Sequence, residues 1–249
     1  MPLIIYAIFD SINYIDSLSS YVDALSLKSK IKLEIISTST LSAIVSRTTD
    51  LKKQACQNDV MIYATIIGDI AAKYSILPMR YGSIVSSPFD VTELLNNHNE
   101  TFVTLIKKIT DKEEYSLRIL YSHLDKEKNN TEDFVDLSQN VPNILQGNTD
   151  SKKYLLNKYI KHLSEEKRLQ YIDKIQSIVA CNLQTITDLI VYNKQTTTGF
   201  IVDAVFMIER SKKSELLDLV MQMQTLFSEH NVVLSGPWPP YNFSNINIG

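Results

Sequence analysis

Short runs rich in Ile, Val and aromatic residues alternate along this chain with longer stretches whose apolar residues recur every three or four positions. Nothing else in the sequence limits the fold as much. LIIYAIF (3–9) predicts a buried strand. The stretch over 12–24 predicts a short helix. IKLEIIS (31–37) and LSAIVS (41–46) predict two strands joined tightly through TST. Asp50 is placed to cap a helix running to about Lys73, on which Val60, Tyr63, Ala64, Ile67, Ile70, Ala71 and Tyr74 recur at helical spacing. ILPMRYGSIV (76–85) is expected to be extended, because Leu77 precedes a proline and is pushed out of the helical region. Asp90 is expected to open another helix through DVTELLNNHNETFVTLIKKI.

The second half repeats the alternation. YSLRILYS (115–122) predicts a strand, and the polar stretch 124–151, punctuated by Pro142 and Gly147, predicts a long surface excursion. A helical region over 152–192 follows, with Leu, Ile or Val at 169, 172, 175, 179, 183, 186 and 190. GFIVDAVFMIE (199–209) predicts a strand, 212–230 a helix, and 232–235 a last strand. The fold class is therefore α+β, in two α+β domains. Two late strands are too few for an independent sheet, so the strand at 115–122 is assigned to them and the boundary falls near 111. Residues 1–111 are expected to form a mixed sheet with packed helices. Residues 112–249 are expected to form a modified ferredoxin-like domain with a variable polar insertion at about 124–151.

Composition narrows the function. The chain has 249 residues, 44% hydrophobic and 21% charged, which supplies real cores and argues against global disorder. A net charge of −3 argues against a sequence-independent nucleic-acid binder, although a local basic patch stays open. No run approaches the ~18 apolar residues of a membrane span. The N-terminus has no basic segment before its apolar run and no A-x-A site, so no signal peptide and an intracellular setting are expected. Cys56 and Cys181 are read as buried reduced thiols.

The search for a chemical site returns little. Six glycines supply neither a dinucleotide fingerprint nor a phosphate loop, and no G-x-S-x-G occurs. His98, His123, His162 and His230 are scattered away from the two cysteines, so no metal site and no cofactor are expected. The acidic pairs Glu113–Glu114 and Glu165–Glu166 are read as solvated faces. Arg80, inside LPMRYG, either pairs with a carboxylate of the fold or clamps an anionic ligand, the former being favoured.

The chain nearly ends on GPWPPYNF (236–243), which holds its only tryptophan and three of its seven prolines. Each proline fixes its own φ and restricts the residue before it, so the segment is expected to be a stiff, polyproline-like arm. The arm either folds back on its own domain or presents Trp238 and Tyr241 to a partner. Trp238 is expected in the core, since a lone tryptophan is mostly buried.

LPMRYGSIV (77–85), GFIVDAVFMIE (199–209) and GPWPPYNF, in this order and spacing, resemble the GvpF/GvpL family of gas vesicle proteins. That family typically carries LP(L/M)RFG in its first half and GPWPPYSF near its end. Tyr81 stands here where Phe is usual, and Asn242 where Ser is common. The resemblance implies a non-enzymatic accessory or minor component of gas vesicles, the gas-filled protein shells that give prokaryotic cells buoyancy. It implies binding to the major shell protein, with other gas vesicle accessory proteins as further partners, and a role in nucleation or assembly. Its motif residues Arg80, Tyr81, Trp238, Pro239, Pro240 and Tyr241 are the candidate interaction residues. The alternatives are a chaperone-like module for apolar peptides and a small-molecule enzyme using Arg80.

Overall fold

A computed structural model describes residues 1–49, 56–120, 150–193 and 199–244. The fold is α+β, as the alternation requires. The chain divides into two compact units, one formed by 1–115, 207–210 and 236–249, the other by 116–206 and 211–235.

The first unit is built on β1 (Leu3–Asp10), α1 (Ser11–Ser29), β2 (Leu33–Ser37), β3 (Leu41–Arg47) and α2 (Gln57–Ala71). It continues with β4 (Leu77–Pro78), β5 (Ile84–Val85), α3 (Pro88–Asn97) and α4 (Asn99–Ile109). Strands lie in the order β2-β3-β1-β4, and β5 also pairs with β1. Every described pairing is antiparallel, in place of the mixed sheet expected: β3 returns directly from β2, and β4 and β5 both run back along the free edge of β1. Successive strand residues point to opposite faces, and Leu3 to Phe9 are buried without a break. Both faces of β1 are therefore covered. Leu18, Val22 and Leu25 of α1 and Tyr63, Ile66, Ile67 and Ile70 of α2 form one core with strand residues. Val91, Leu95, Phe102 and Ile106 of α3 and α4 are buried outside that cluster, on helices that pack on the same sheet.

Local signals explain the helix ends. Asp10 caps α1, its Oδ1 accepting from the Ile12 amide at 2.8 Å. Asp90 does not open α3. Ser87 does, accepting from the Asp90 amide, while the Asp90 carboxylate reaches back to the Ser87 amide. Asp90 is thus the reciprocal partner in a capping box, three residues inside the cap. The single helix expected through 109 is two, meeting at His98. Asp50 and most of the 124–151 excursion lie outside the described residues.

Among the described residues the remaining strands and α-helices are β6 (Lys112–Leu120), α5 (Asp150–Leu183), β7 (Ile190–Tyr192), β8 (Phe200–Glu209), α6 (Lys213–Leu226) and β9 (Asn231–Trp238). They run β-α-β-β-α-β with strands in the order β7-β8-β6-β9, the ferredoxin-like arrangement. The long helical region expected to 192 is corrected here. α5 ends at Leu183, and Ile190 pairs with Phe206 as the start of a strand. Ile172, Ile175, Val179 and Leu183 form the buried stripe, whereas Leu169 is exposed. Ile190 follows Ile186 at helical spacing by coincidence, the usual ambiguity of a short apolar run. Cys56 and Cys181 are exposed, not buried as expected: Cys56 precedes the first residue of α2, and Cys181 falls off the buried stripe of α5.

Candidate functional site

The two motif segments from opposite ends of the chain meet at Tyr63 of α2. Its hydroxyl has one proton to donate among three carbonyl oxygens: Ile5 at 2.9 Å, Met79 at 2.9 Å and Arg80 at 3.2 Å. Burial pushes its pKa up strongly, with Tyr241 and Tyr6 adding to the shift. The first motif is a turn held by this hydroxyl. The Ser83 amide donates to the Arg80 carbonyl at 3.1 Å, and Gly82 has φ +89°. That is the pattern of a type II turn, whose third residue favours glycine. The flanks pair with β1 through Met79 N–H to Tyr6 O (2.8 Å) and Ile5 N–H to Ser83 O (2.9 Å).

Within this turn Arg80 is exposed, its side chain pointing away from the core its carbonyl helps to close. Tyr81 stands edge-on to Tyr63, ring centroids 5.3 Å apart. Its hydroxyl oxygen is buried and has no hydrogen-bond partner among the described residues. The ring at this position is used for packing, and the hydroxyl that distinguishes Tyr from Phe has no role in it.

The second motif is a strap held against β6 at both ends, Gly236 against Glu114 and Tyr115 and Asn242 on Glu114. At one end Gly236 has φ +127°, and a Cβ there would lie 2.9 Å from the Glu114 carbonyl oxygen and 2.9 Å from Tyr115 Cδ1. Only glycine fits so close an approach at positive φ. At the other end the Asn242 amide donates to Glu114 Oε2 at 3.0 Å, and Asn242 Nδ2 donates to Oε1 at 2.7 Å. Between the anchors β9 runs on through Pro237 and Trp238, so the first part of the expected arm belongs to a strand at the sheet edge, where proline is tolerated. The chain then turns about Pro240, with the Tyr241 amide donating to the Pro239 carbonyl at 2.7 Å. That three-residue turn suits the fixed φ of proline. Gly236–Pro237 is cis.

The strap sorts its aromatics. Tyr241 packs against the Tyr63 core, and burial pushes its pKa up to about 12. Phe243 is buried beside Lys108, whose ammonium lies 6.0 Å from the ring centroid. Trp238 is 52% exposed, which corrects the expectation that it is a core residue. The turn at Pro240 delivers Tyr241 to the core instead and leaves Trp238 outside. Pro237, Trp238, Pro239 and Pro240 form one wall of a narrow cleft of about 60 Å³. Gly68, Ala71 and Ala72 at the end of α2 line it as well, with Lys112 and Glu113.

Three residues that build this site escape a reading of the sequence. Glu114, expected on a solvated face, is 2% exposed, and burial raises its carboxyl above the usual range against the opposing pull of the Asn242 bonds. Glu113 beside it accepts from the Tyr115 hydroxyl at 2.8 Å. Glu165 and Glu166, by contrast, are exposed on α5. Arg210 donates to the carbonyls of Ala71 and Ala72, both at 2.9 Å, and so satisfies the last turn of α2. Tyr63 looks in the sequence like one more residue of an apolar stripe. No local signal marks Glu114 or Arg210: a charged residue in a linker-like run looks the same whether it is wet or buried.

Among the described residues no group of His, Cys, Asp and Glu is placed to hold a metal ion, and no helix is long and apolar enough to cross a membrane. What the arrangement offers is a stiff edge carrying an aromatic side chain over a small apolar cleft.

The profile of the family described as "Gas vesicle synthesis protein GvpL/GvpF" matches residues 3–245. The chain belongs to the GvpL/GvpF family of gas vesicle proteins. It is 22% identical over 209 residues to "Gas vesicle protein F" of Streptomyces sp. (strain CB03234), covering 82% of this chain and 84% of that one. Its fold is similar to the crystal structure of GvpF from Anabaena sp. PCC7120, with a TM-score of 0.79, 19% identity and 99% of each chain covered. GvpF from Microcystis aeruginosa gives a TM-score of 0.73 at 16% identity, covering 98% of this chain and 99% of that one. GvpL/GvpF membership makes both quoted motifs, the turn at Arg80–Ser83 and the strap, features of a gas vesicle protein.

Proposed function

We propose that the chain is a non-catalytic accessory or minor structural protein of the gas vesicle. In this reading it binds the major shell protein in the prokaryotic cytoplasm, assists nucleation or assembly of the shell, and meets other gas vesicle accessory proteins there. The observation that carries the reading is the strap. A family motif spends its rigidity on holding one aromatic side chain outside the core, which is what a protein–protein contact uses and a catalytic site does not need. Membership in a gas vesicle synthesis family supplies the setting.

Purified chain and major shell protein, mixed and captured through a tag on the chain, are expected to co-purify. Immunodetection on washed vesicles tests whether the chain stays with the shell. No association in solution, together with vesicles free of the chain, would sink the reading.

A further inference from the structure

The far end of the strap is hydrogen-bonded to the rest of the chain through one side chain. Among the described residues, the bonds that Pro239 to Ser244 make beyond the strap both end on the Glu114 carboxylate. They come from the Asn242 amide to Oε2 at 3.0 Å and from Asn242 Nδ2 to Oε1 at 2.7 Å. The bonds from Tyr241 to Pro239 and from Phe243 to Pro240 close turns inside the strap. The near end is fixed differently: β9 lies beside β6 in the sheet, and Gly236 is pressed on the Glu114 carbonyl. A release confined to residues 241–244 therefore leaves β9 in place.

The carboxylate in this contact has no cation. No ion pair reaches Glu114 among the described residues, and the titratable groups of the surrounding elements are engaged elsewhere. On β6, Glu113 accepts from the Tyr115 hydroxyl at 2.8 Å and lies 3.9 Å from the Arg210 guanidinium. Lys112 donates to the Lys108 carbonyl at 2.8 Å, and Asp111 is exposed. The Lys108 ammonium of α4 lies 6.0 Å from the Phe243 ring centroid, and Tyr241 of the strap packs on the Tyr63 core. Ionising Glu114 thus has two opposed effects. A carboxylate accepts the Asn242 donors more strongly than a carboxylic acid does. It also carries a full charge on a residue that is 2% exposed, with nothing to neutralise it. Burial is the larger effect, holding the carboxyl above its ordinary 4.5 against the pull of the Asn242 bonds. Swinging residues 241–244 outward would wet the carboxylate and remove that cost.

We propose that Glu114 and Asn242 form a proton-sensitive latch on the strap, closed most firmly when the carboxyl is protonated and released more often as it ionises. The closed form holds the carboxyl above the value it has when wet. Closure is therefore strongest below about pH 4.5 and weakens as the pH rises through the closed form's value. Release turns Tyr241 and Phe243 out about the turn at Pro240 and uncovers the Tyr63 core, so access to that core is coupled to pH.

Hydrogen exchange at the amide of residue 242 in the full chain, divided into the rate of an unstructured peptide at the same pH, reads this release. In the parent, protection of that amide is expected to be weaker than that of the β1 amides at every pH. It should be greatest near pH 4 and fall severalfold by about pH 7. Glu114→Gln should leave protection that does not vary with pH. Asn242→Ser keeps the backbone donor and removes the one from Nδ2, so it should lower protection and keep the trend with pH. Protection equal to that of β1 would mean that the strap opens only when the whole chain unfolds, and would overturn the latch. A parent profile that is flat or rises with pH overturns it as well, as does a fall that persists in Glu114→Gln. Should Glu114→Gln not fold, the parent and Asn242→Ser decide: a shared fall with pH, from weaker protection in the variant, supports the latch, and any other pair of profiles overturns it.

Discussion

Trp238 and Tyr241 sit on one strap and face opposite ways, so truncating each has a different consequence. Trp238 is half exposed, and Trp238→Ala is expected to change unfolding free energy by no more than about 0.5 kcal/mol, as surface substitutions do. Tyr241 packs on the Tyr63 core, and Tyr241→Ala should cost about 1–3 kcal/mol, below the cost of a fully buried aromatic because its edge stays wet. Urea melts of the two variants beside the parent decide this, and a larger loss for Trp238→Ala would put the ring inside. The sequence alone does not tell which ring turns in. Stiff prolines aim a side chain either way, and only the turn about Pro240 settles the direction. Tyr81 gives a second test at this scale. Its hydroxyl is buried without a partner among the described residues, so Tyr81→Phe removes a desolvated polar group and should stabilise by up to about 1 kcal/mol. A melt shifted downward would mean the hydroxyl has a bond worth keeping.

The strap as an element depends on Glu114, and its titration supplies the next expectation. Burial raises the folded carboxyl above its ordinary 4.5, so the folded chain carries a cost for the charged form that the unfolded chain does not. That cost is absent at pH below about 4.5, grows as the pH climbs past it, and is complete above the raised folded value. Glu114→Gln removes the titration. It also sets an amide group against one of the two Asn242 donors, a loss that does not vary with pH in this range. The stability difference between variant and parent should therefore move in favour of the variant as pH rises from about 4 to neutrality. Urea melts across that range that run parallel for the two proteins would mean that Glu114 does not titrate as a buried acid. Elements with a period are legible in the sequence: β1, α1, the β2–β3 hairpin, α2 and β8 stand close to where the apolar spacing puts them. Those decided by distant partners are not. β7 is three residues whose spacing also continues a helical stripe, and it becomes a strand only because β8 is there to pair with it. Glu114 is buried only because a segment from the far end of the chain closes over it.

At the scale of the molecule, the strand order and the compact units do not follow the same residues. Residues 112–249 contain the whole β-α-β-β-α-β succession, and β6 lies inside the strand order, between β8 and β9. The compact unit that includes the strap, however, draws on 1–115, 207–210 and 236–249. We propose that the boundary for autonomous folding lies near residue 111. A fragment of 112–249 is expected to unfold cooperatively, whereas one beginning at 126 lacks β6, leaves β8 and β9 without the strand between them, and should not. The longer fragment keeps Gly236 against Tyr115 and Asn242 on Glu114, since those residues travel with it. It loses Tyr63 and the core on which Tyr241 rests. Tyr241, pushed up to about 12 in the full chain, should then titrate near its ordinary 10.0. Tyrosinate absorbance, taken as the difference between each protein and its Tyr241→Phe variant, reads this one hydroxyl among thirteen tyrosines. A fragment from 126 that melts as sharply as the one from 112 would show that β6 is dispensable and move the boundary. A Tyr241 still near 12 in the longer fragment would show that the strap shields its own tyrosine and does not need the Tyr63 core to do so.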